Sequence, residues 1–325
     1  MDLPEINIAK RLVEKKVLEP PIDIFALAKK YASIRLMDIP FEIDGISINI
    51  KVPGRYPLII LNSSVHSTRM RFTLAHELGH ILIPWHMGTI IDNTEEKYGT
   101  NNIYWVIESE ANRFASELLM PSEWIKTIIK KRRSIEDTLD EIIDTADVSS
   151  PAAAISLIRS LETGYVFAMT NKDNEVILSG RSRGTLAVAP TLHAKIDSMK
   201  HFPFCKNFHQ FEISGNSFLW WKFDDDVDLK KRRLDRRDWR EILDRIVGDI
   251  GIPAIKIEKF KMSLNGVIAS ANANVRGDNR TVKAIYSACL QRIYSKPDLS
   301  LFVSHRDFDN FLIKRVEDLF DRRNH

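Results

Sequence analysis

The strongest chemical signal in the sequence is a pair of histidines four residues apart. Residues 76–80 read His-Glu-Leu-Gly-His, and helix positions four apart lie on one face, a turn from each other. The imidazoles of His76 and His80 can therefore bind one Zn²⁺ through neutral ring nitrogens. Glu77 stands beside them, where a carboxylate can take a proton from an attacking water and later deliver it to a leaving amine. The pattern predicts metal-assisted hydrolysis of peptide bonds, with Glu77 as the general base.

A third metal ligand is needed, and Glu108 is the favoured candidate. It begins the run Glu-Ser-Glu-Ala-Asn-Arg-Phe-Ala on the next predicted helix, where Ala111, Asn112 and Ala115 share its face. Small residues beside a carboxylate let this helix approach the helix that carries the histidines. Asn112 can accept the free N–H of a metal-bound imidazole and so fix its tautomer. Glu110 is expected to point elsewhere.

His86 is the alternative third ligand. It follows His80 by six residues, the spacing of an extended motif in which three histidines hold the metal. That motif requires a glycine three residues after the second histidine, and Ile83 stands there, followed by the bulky Pro84. We therefore rank His86 below Glu108 and expect a partly exposed histidine just past a helix end.

Two predicted helices position these side chains. The first begins near Ser64 or Ser67, either of which can cap it, and ends before Pro84. The second extends from about residue 103 to residue 120 and is ended by Pro121. Both are long enough to carry the metal ligands on one face.

A small sheet is predicted ahead of these helices. Extended runs cover residues 33–37, 46–50 and 58–61, and a Pro-Gly turn at 53–54 joins the last two into a hairpin. The strand at residues 58–62 is a candidate edge strand that could hold an extended substrate by strand addition. The pattern is that of an α+β fold in which two helices carry the metal ligands.

The segment after this region has the pattern of a helix-turn-helix. A helical run covers residues 135–146, and a second helix begins at Ser150 with Pro151 at its first position. That second helix offers Arg159 as its one cation, whereas helices that read a DNA groove display several polar or basic residues. We therefore expect packing or substrate docking, and direct DNA binding is not favoured.

Beyond Gly164 the pattern changes to hairpins followed by helices. Strands are predicted at residues 165–170, 175–179, 210–213 and 218–223, and helices near 238–247, 282–294 and 307–319. Trp220 and Trp221 are adjacent in a strand and must point to opposite faces. One ring is expected in the core, and the other is expected over a ligand pocket or at a domain interface.

The two metal-ligand motifs together resemble the ImmA/IrrE metallopeptidase family. The matching runs are Arg-Phe-Thr-Leu-Ala-His-Glu-Leu-Gly-His at 71–80, Glu-Ser-Glu-Ala-Asn-Arg-Phe-Ala at 108–115 and Leu-Leu-Met-Pro at 118–121. The resemblance implies a gluzincin-like (zincin-like, HExxH) peptidase with zinc held by His76, His80 and Glu108. It also implies a regulatory role, the site-specific cleavage of a helix-turn-helix repressor that controls stress-response or mobile-element genes.

Longer members of this family add a small helical domain and a sensory domain similar to GAF. By this resemblance, residues 1–125 are expected to be a zinc metallopeptidase domain, 126–163 a helix-turn-helix-like segment and 164–325 an α+β domain with a sensory role. Many relatives also carry a DNA-binding domain ahead of the peptidase, and this sequence has little there. We therefore expect the substrate to be a separate protein.

Composition limits the remaining function classes. The 325 residues are 44% hydrophobic and 28% charged, which is ordinary for a globular protein of two or three domains. A net charge of +3 gives no argument for a nucleic-acid or membrane partner. The sequence shows no secretion signal and no membrane-spanning run, and Cys205 and Cys289 lie far apart, so we expect a cytoplasmic protein.

Three functions are consistent with these features. The first is a regulatory zinc endopeptidase, and the second is a non-catalytic transcription regulator or ligand-sensing module built on a zincin fold. The third is an antitoxin-like or phage-encoded partner protein. The intact set of His76, Glu77, His80 and Glu108 favours the first function. A pure binding role has no need of the general base Glu77.

Overall fold

The structure, a computed structural model, divides into two compact units, Met1–Ser160 and Leu161–His325. It describes residues 3–41, 43–93, 102–132, 134–224, 235–276 and 280–322. Each unit has its own helices and its own four-stranded sheet. Within the described ranges, no helix has the length and apolar character that crossing a membrane requires.

The first unit is a mixed α+β structure. Its elements, in chain order, are α1 (Pro4–Lys16), α2 (Ile24–Ala28), β1 (Ser33–Met37), β2 (Ile43–Ile50), β3 (Leu58–Asn62), α3 (Ser67–Leu82), β4 (Gly88–Asn93), α4 (Asn102–Leu119), α5 (Ser122–Lys131), α6 (Ile135–Ala146) and α7 (Ser150–Ser160). The sheet therefore precedes and flanks the two helices that carry the candidate metal ligands.

The strand order of the first sheet is β1-β3-β2-β4. Strands β2 and β3 form the predicted antiparallel hairpin, which is confirmed, and β1 pairs with β3 in parallel. Because β3 has a neighbour on each side, the prediction that residues 58–62 form an edge strand is wrong. The edges of this sheet are β1 and β4. The reason is that β1, which precedes the hairpin in the chain, pairs with the side of β3 that faces away from β2.

Helix α3 follows the predicted boundaries closely. It ends at Leu82, before Pro84, as expected. Its N-cap is His66, whose side chain accepts a hydrogen bond from the amide of Thr68, rather than Ser64 or Ser67. Apolar residues of α3 such as Leu74 and Leu78 are fully buried, and this burial fixes the opposite face of the helix toward α4.

Helices α3 and α4 pack closely because α3 has a glycine at the contact. A Cβ on Gly79 would lie 3.0 Å from Cδ1 of Phe114, tighter than ordinary van der Waals contact. Phe114 and the neighbouring Ala111 and Ala115 of α4 are fully buried. The small residues therefore bring the two helices that carry the candidate ligands together, as the sequence predicts.

Helices α5, α6 and α7 belong to the first compact unit. Helix α6 ends at Ala146, and its C-cap Asp147 has a left-handed φ of 52°; α7 begins three residues after this cap. Buried side chains such as Leu139, Ile142 and Leu157 hold these helices in place. The division of this region into a domain of residues 1–125 and a helix-turn-helix-like segment of residues 126–163 stays a prediction.

The second unit combines an antiparallel sheet with a group of helices. The strand order is β6-β5-β8-β7, and a separate core gathers side chains of the helices that follow. The likeness to GAF domains stays a prediction. The elements are β5 (Tyr165–Thr170), β6 (Val176–Arg181), α8 (Ser198–His201), β7 (Asn207–Ile213), β8 (Asn216–Lys222), α9 (Trp239–Asp249), α10 (Ala254–Asn274), α11 (Val282–Tyr294), a 3-10 turn (Pro297–Leu299), α12 (Ser300–Val303) and α13 (Phe308–Asp321).

Two features of the second unit differ from the expectation. Trp220 and Trp221 are both 1% exposed: Trp220 stacks on Phe167, and Trp221 packs edge to face on Phe202. The long helix α10 was not predicted, because its apolar residues do not form one stripe. Ile255, for example, is 92% exposed on this helix.

Candidate metal centre

Helices α3 and α4 bring three ligating side chains to one buried point. The Nε2 atoms of His76 and His80 lie 2.9 Å apart. Glu108 reaches them from α4, with Oε2 3.0 Å from His76 Nε2 and Oε1 3.5 Å from His80 Nε2. One ligand atom from each residue lies within 4.8 Å of the others, and all three residues are buried. The structure thus places together the three residues that the sequence predicts as ligands.

The charge states of these groups suit a divalent cation. Burial lowers the pKa of His80 to about 4, so its imidazole is neutral at pH 7. Burial also acts to raise the pKa of Glu108, but its contacts with the His76 and His80 rings outweigh burial and hold that pKa at about 2. The site therefore offers neutral imidazoles and an ionised carboxylate, the donor types that such a cation binds.

One atom of the site lacks a partner that a metal ion would provide. Glu108 Oε1 is buried and accepts no hydrogen bond from the residues that the structure describes. A buried carboxylate oxygen in that state is costly unless a cation or a donor compensates it. The donor set and this oxygen both fit a metal ion held by His76, His80 and Glu108.

The far side of the His76 ring is held by α4. Asn112 Oδ1 lies 3.0 Å from His76 Nδ1, one helical turn beyond Glu108. An amide oxygen can only accept, so it selects the tautomer that carries the proton on Nδ1. The Nε2 lone pair of His76 is then directed to the metal position, which is the role that the sequence predicts for Asn112.

The far side of the His80 ring is held by a second histidine. His86 Nδ1 lies 2.9 Å from His80 Nδ1, and His86 Nε2 lies 2.9 Å from Glu110 Oε2. Trp85 Nε1 also donates to Glu110 Oε2, at 2.6 Å. Burial lowers the pKa of His86, so its neutral ring can accept from His80 and donate to Glu110. This chain of hydrogen bonds fixes the His80 tautomer that leaves Nε2 open to a metal.

One expectation about this region is wrong. His86 is fully buried, not partly exposed, because the chain turns back after α3 and inserts the ring behind His80. Glu110, which is expected to point away from the metal ligands, accepts from His86 and Trp85. His86 faces Nδ1 of His80, the edge opposite to the His76 and Glu108 atoms. It therefore supports a ligand here and does not take the place of Glu108.

Lys51 shapes the chain turn that inserts His86. Its Nζ donates to the carbonyl oxygens of Ile83 at 2.8 Å and His86 at 2.7 Å, and it also reaches His80 O at 3.3 Å. These carbonyls belong to the end of α3 and the turn beyond it, where no helical donor remains for them. The lysine thereby supports a turn in which Ile83 stands at the position that is glycine in the extended three-histidine motif. Burial lowers the pKa of its ammonium group.

Strand β2 contacts the candidate general base. Ser47 Oγ donates a short hydrogen bond to Glu77 Oε2, and both residues are fully buried. Gly45 faces the same carboxylate, because a Cβ there would lie 2.6 Å from Glu77 Oε1 and 2.7 Å from Thr73 Cγ2. Ser47 thus holds the Glu77 carboxylate, and Gly45, two positions before it on the same face of the strand, leaves space for that carboxylate.

These supporting residues have only a weak signal in the sequence. Gly45 and Ser47 stand at period two between isoleucines in β2, which indicates one strand face that is too close to a neighbour for large side chains. Lys51 and Glu110 are distant in sequence from what they contact, and nothing local to either residue indicates that contact.

Removing the support behind His80 is expected to weaken metal binding without abolishing it. His86→Ala and Glu110→Gln should each lower affinity for Zn²⁺, by about 10- to 100-fold for His86→Ala, because such outer partners orient the ligand. Competition with a chelator of known affinity measures this. His209→Ala, an exposed histidine of the second unit, is the matched control and should bind Zn²⁺ as the wild type does. Unchanged affinity in both variants would contradict the role assigned to His86.

Comparison with known proteins relates this site to a family. Residues 29–157 match the Peptidase_M78 family, described as the IrrE N-terminal-like domain. The chain is similar to the radiation response metalloprotease IrrE of Deinococcus deserti, with 29% identity over 137 residues, which are 39% of this chain and 48% of that protein. It is also 28% identical over 114 residues to the protein of the same name in Deinococcus radiodurans, covering 34% of each chain.

Over residues 29–157 the chain is therefore similar to the ImmA/IrrE family. The chain spans about half the length of the first of these relatives and about a third of the second. Among solved structures, a Mycobacterium tuberculosis transcriptional regulator matches at a TM-score of 0.42 and 11% identity, over 68% of this chain and 76% of that one. A likeness of that size carries no argument about function.

Proposed function

We propose that this chain is a zinc-dependent endopeptidase with Glu77 as its general base. The observation that carries the proposal is the buried set of His76, His80 and Glu108, whose ligand atoms lie within 4.8 Å of one another. The match of residues 29–157 to a metallopeptidase family supports it. Neutral imidazoles with an ionised carboxylate are a typical ligand set for catalytic zinc.

In this proposal each side chain has a distinct task. A zinc ion bound by the three ligands supplies a Lewis acid that polarises the scissile carbonyl and makes water more acidic. Glu77 accepts a proton from the attacking water and later delivers it to the leaving amine. Ser47 holds the Glu77 carboxylate in place by donating to one of its oxygens. Asn112 and His86 keep the two imidazoles in the tautomers that binding requires.

Strand β4 is the part of the sheet best placed to hold a substrate. Among the described residues it pairs only with β2, so it presents an edge to an added strand. Ser47, which contacts Glu77, pairs with Ile90 of β4. A peptide added to β4 would run one strand spacing, about 4.8 Å, beyond that strand. Substrate binding at β4 replaces the assignment to residues 58–62.

The substrate that we propose is a helix-turn-helix transcriptional repressor, cleaved in response to stress or to a mobile-element signal. The resemblance of the two motifs to the ImmA/IrrE family supports this, as does the name of the two Deinococcus relatives, radiation response metalloprotease. In the same proposal, residues 126–163 assist docking of the substrate, and residues 164–325 sense the signal. The metal is zinc, and the protein acts in the cytoplasm.

Identification of new protein N-termini in cells tests the proposal. Cells that express the wild-type chain and cells that express Glu77→Gln are compared, with a chelator-treated lysate as a further control. We expect a small set of N-termini, from a helix-turn-helix protein among others, that appear only with the wild type. The same biological response and the same N-termini with Glu77→Gln would instead support the non-catalytic regulator.

The space around Glu77 provides a second test of the enzyme. Gly45→Ala is expected to lower peptide hydrolysis by up to about 100-fold, because the new Cβ displaces the Glu77 carboxylate and small misplacements are costly. Zinc content should be unchanged, since the three ligands are not touched. Gly266→Ala, where no heavy atom lies within 4 Å of the added carbon, is the control for rate and stability. Full activity in Gly45→Ala would show that Glu77 does not act from this position.

A further inference from the structure

A cavity in the first unit has no task in the proposed chemistry. It has a volume of about 290 Å³ and lies between α3, α4 and α7. That is roughly the volume of ten water molecules, enough for a side chain. The lining side chains that matter here are Phe72, Ser109, Asn112, Arg113, Ser116 and Arg159.

The charges at this cavity are unbalanced. Arg159 makes no hydrogen bond or ion pair within the described residues. Burial of its guanidinium, and then the positive charge of Arg113, lowers its pKa. Arg113 donates from Nε to Glu5, which is 1% exposed. Within the described residues, the carboxylate of Glu5 pairs with Arg113 and leaves the positive charge of Arg159 without a counterion, which favours an anion in the cavity.

The cavity also offers neutral hydrogen-bond donors. Ser109 and Ser116 lie two turns apart on one face of α4, and both line the cavity. Their hydroxyl groups have no partner among the residues that the structure describes. Hydroxyls beside guanidinium groups are the usual surroundings of a carboxylate or phosphate, because each can donate to an oxygen.

The position of the cavity links it to the metal centre. Asn112 lines it, and the same side chain accepts from His76 through Oδ1. Phe72 lies one turn before His76 on α3, and Ser109 directly follows Glu108. A group bound in the cavity would therefore lie against Asn112, the side chain that orients the candidate ligand His76.

We propose that this cavity is a specificity subsite that binds the carboxylate of an acidic substrate side chain, with Arg159 as its main cation. The proposal rests on the peptidase function argued above and adds a preference to it. A guanidinium matches a carboxylate with two parallel hydrogen bonds. A neutral isostere lacks the charge-assisted hydrogen bonds that a carboxylate makes with Arg159, and that difference is the source of the discrimination.

Binding can be measured without cleavage, in the full-length, zinc-loaded Glu77→Gln chain. The probes are N-acetyl-glutamate amide, its neutral isostere N-acetyl-glutamine amide, and inorganic phosphate. Side-chain N–H signals of arginine report binding by NMR. Arg159→Gln and Arg159→Lys are made in this background, and Arg35→Gln, an exposed arginine on β1, is the matched control.

We expect the glutamate probe to bind at least about tenfold more tightly than the glutamine probe. Arg159→Gln should remove this difference, Arg159→Lys should restore part of it, and Arg35→Gln should leave it unchanged. If Arg159→Gln binds the glutamate probe as tightly as the chain that retains Arg159, the carboxylate of the probe binds elsewhere, for example on the metal. That result would overturn the proposal. So would the absence of any binding.

The phosphate probe distinguishes a substrate subsite from a site for a free anion. Phosphate binding that depends on Arg159, without binding of the glutamate probe, would overturn the subsite and assign the cavity to a small anion. Since no arm of the experiment needs hydrolysis, its result is separate from that of the Glu77→Gln cleavage test. If the cleavage test contradicts the peptidase function but the glutamate probe still binds in an Arg159-dependent manner, the cavity is a binding site for an acidic peptide.

Discussion

Glu77→Gln is expected to reduce peptide hydrolysis by about two to four orders of magnitude, the usual contribution of a general base. The amide has nearly the same size, and its oxygen can still accept from Ser47 Oγ, so the side chain keeps its place. It cannot take a proton from water, however. Zinc content should equal that of the wild type, because Glu77 is not among the three ligands.

Hydrolysis rate and zinc content are measured together on the same preparations. Glu123→Gln is the control, since this glutamate on α5 is exposed and pairs with Lys126 on the surface. It should retain full activity. Retained hydrolysis in Glu77→Gln, with zinc bound, would mean that another group is the base. Loss of zinc in this variant would mean that the effect is structural.

Glu108→Ala is expected to lose most of its zinc. The variant removes one of three protein ligands, so its affinity should fall further than the factor of about 10–100 that a supporting residue contributes. His76 and His80 remain in place through Asn112 and His86, and a weak two-histidine site should persist. A chelator titration gives the affinity, and elemental analysis gives the stoichiometry.

Two variants control for this experiment. His86→Ala removes a buried histidine that is not proposed as a ligand and should bind zinc more tightly than Glu108→Ala does. Glu123→Ala tests removal of an exposed carboxylate and should bind as the wild type does. Equal zinc in Glu108→Ala and the wild type would shift the third ligand to His86 and weaken the proposed site.

Much of the candidate site could be predicted from the sequence because its ligands follow helix geometry. His76 and His80 are four apart on α3, and Glu108 and Asn112 are four apart on α4, so each pair lies on one helix face. Small residues such as Ala111 and Ala115 indicated that the two helices could approach closely. The hairpin of β2 and β3 also had a local signal, the Pro-Gly turn at residues 53–54.

The rest depends on contacts between distant parts of the chain. Ser47 meets Glu77, and Lys51 meets the turn after α3, only because the sheet packs against that helix. The parallel pairing of β1 with β3 likewise has no local pattern, and it made β3 an interior strand. His86 was expected to be partly exposed at a helix end. Its burial involves contacts with distant residues such as Glu110, which is 24 residues away and cannot be recognised from the local sequence.

The most direct test of this account is anomalous diffraction at the zinc absorption edge from crystals of the zinc-loaded wild-type chain. We predict one peak in the first unit, within about 2.0–2.2 Å of Nε2 of His76, Nε2 of His80 and a carboxylate oxygen of Glu108. Glu77 should contact the remaining coordination position without binding the metal. A peak held instead by His86 and Glu110, or no peak after zinc loading, would contradict the proposed metal centre.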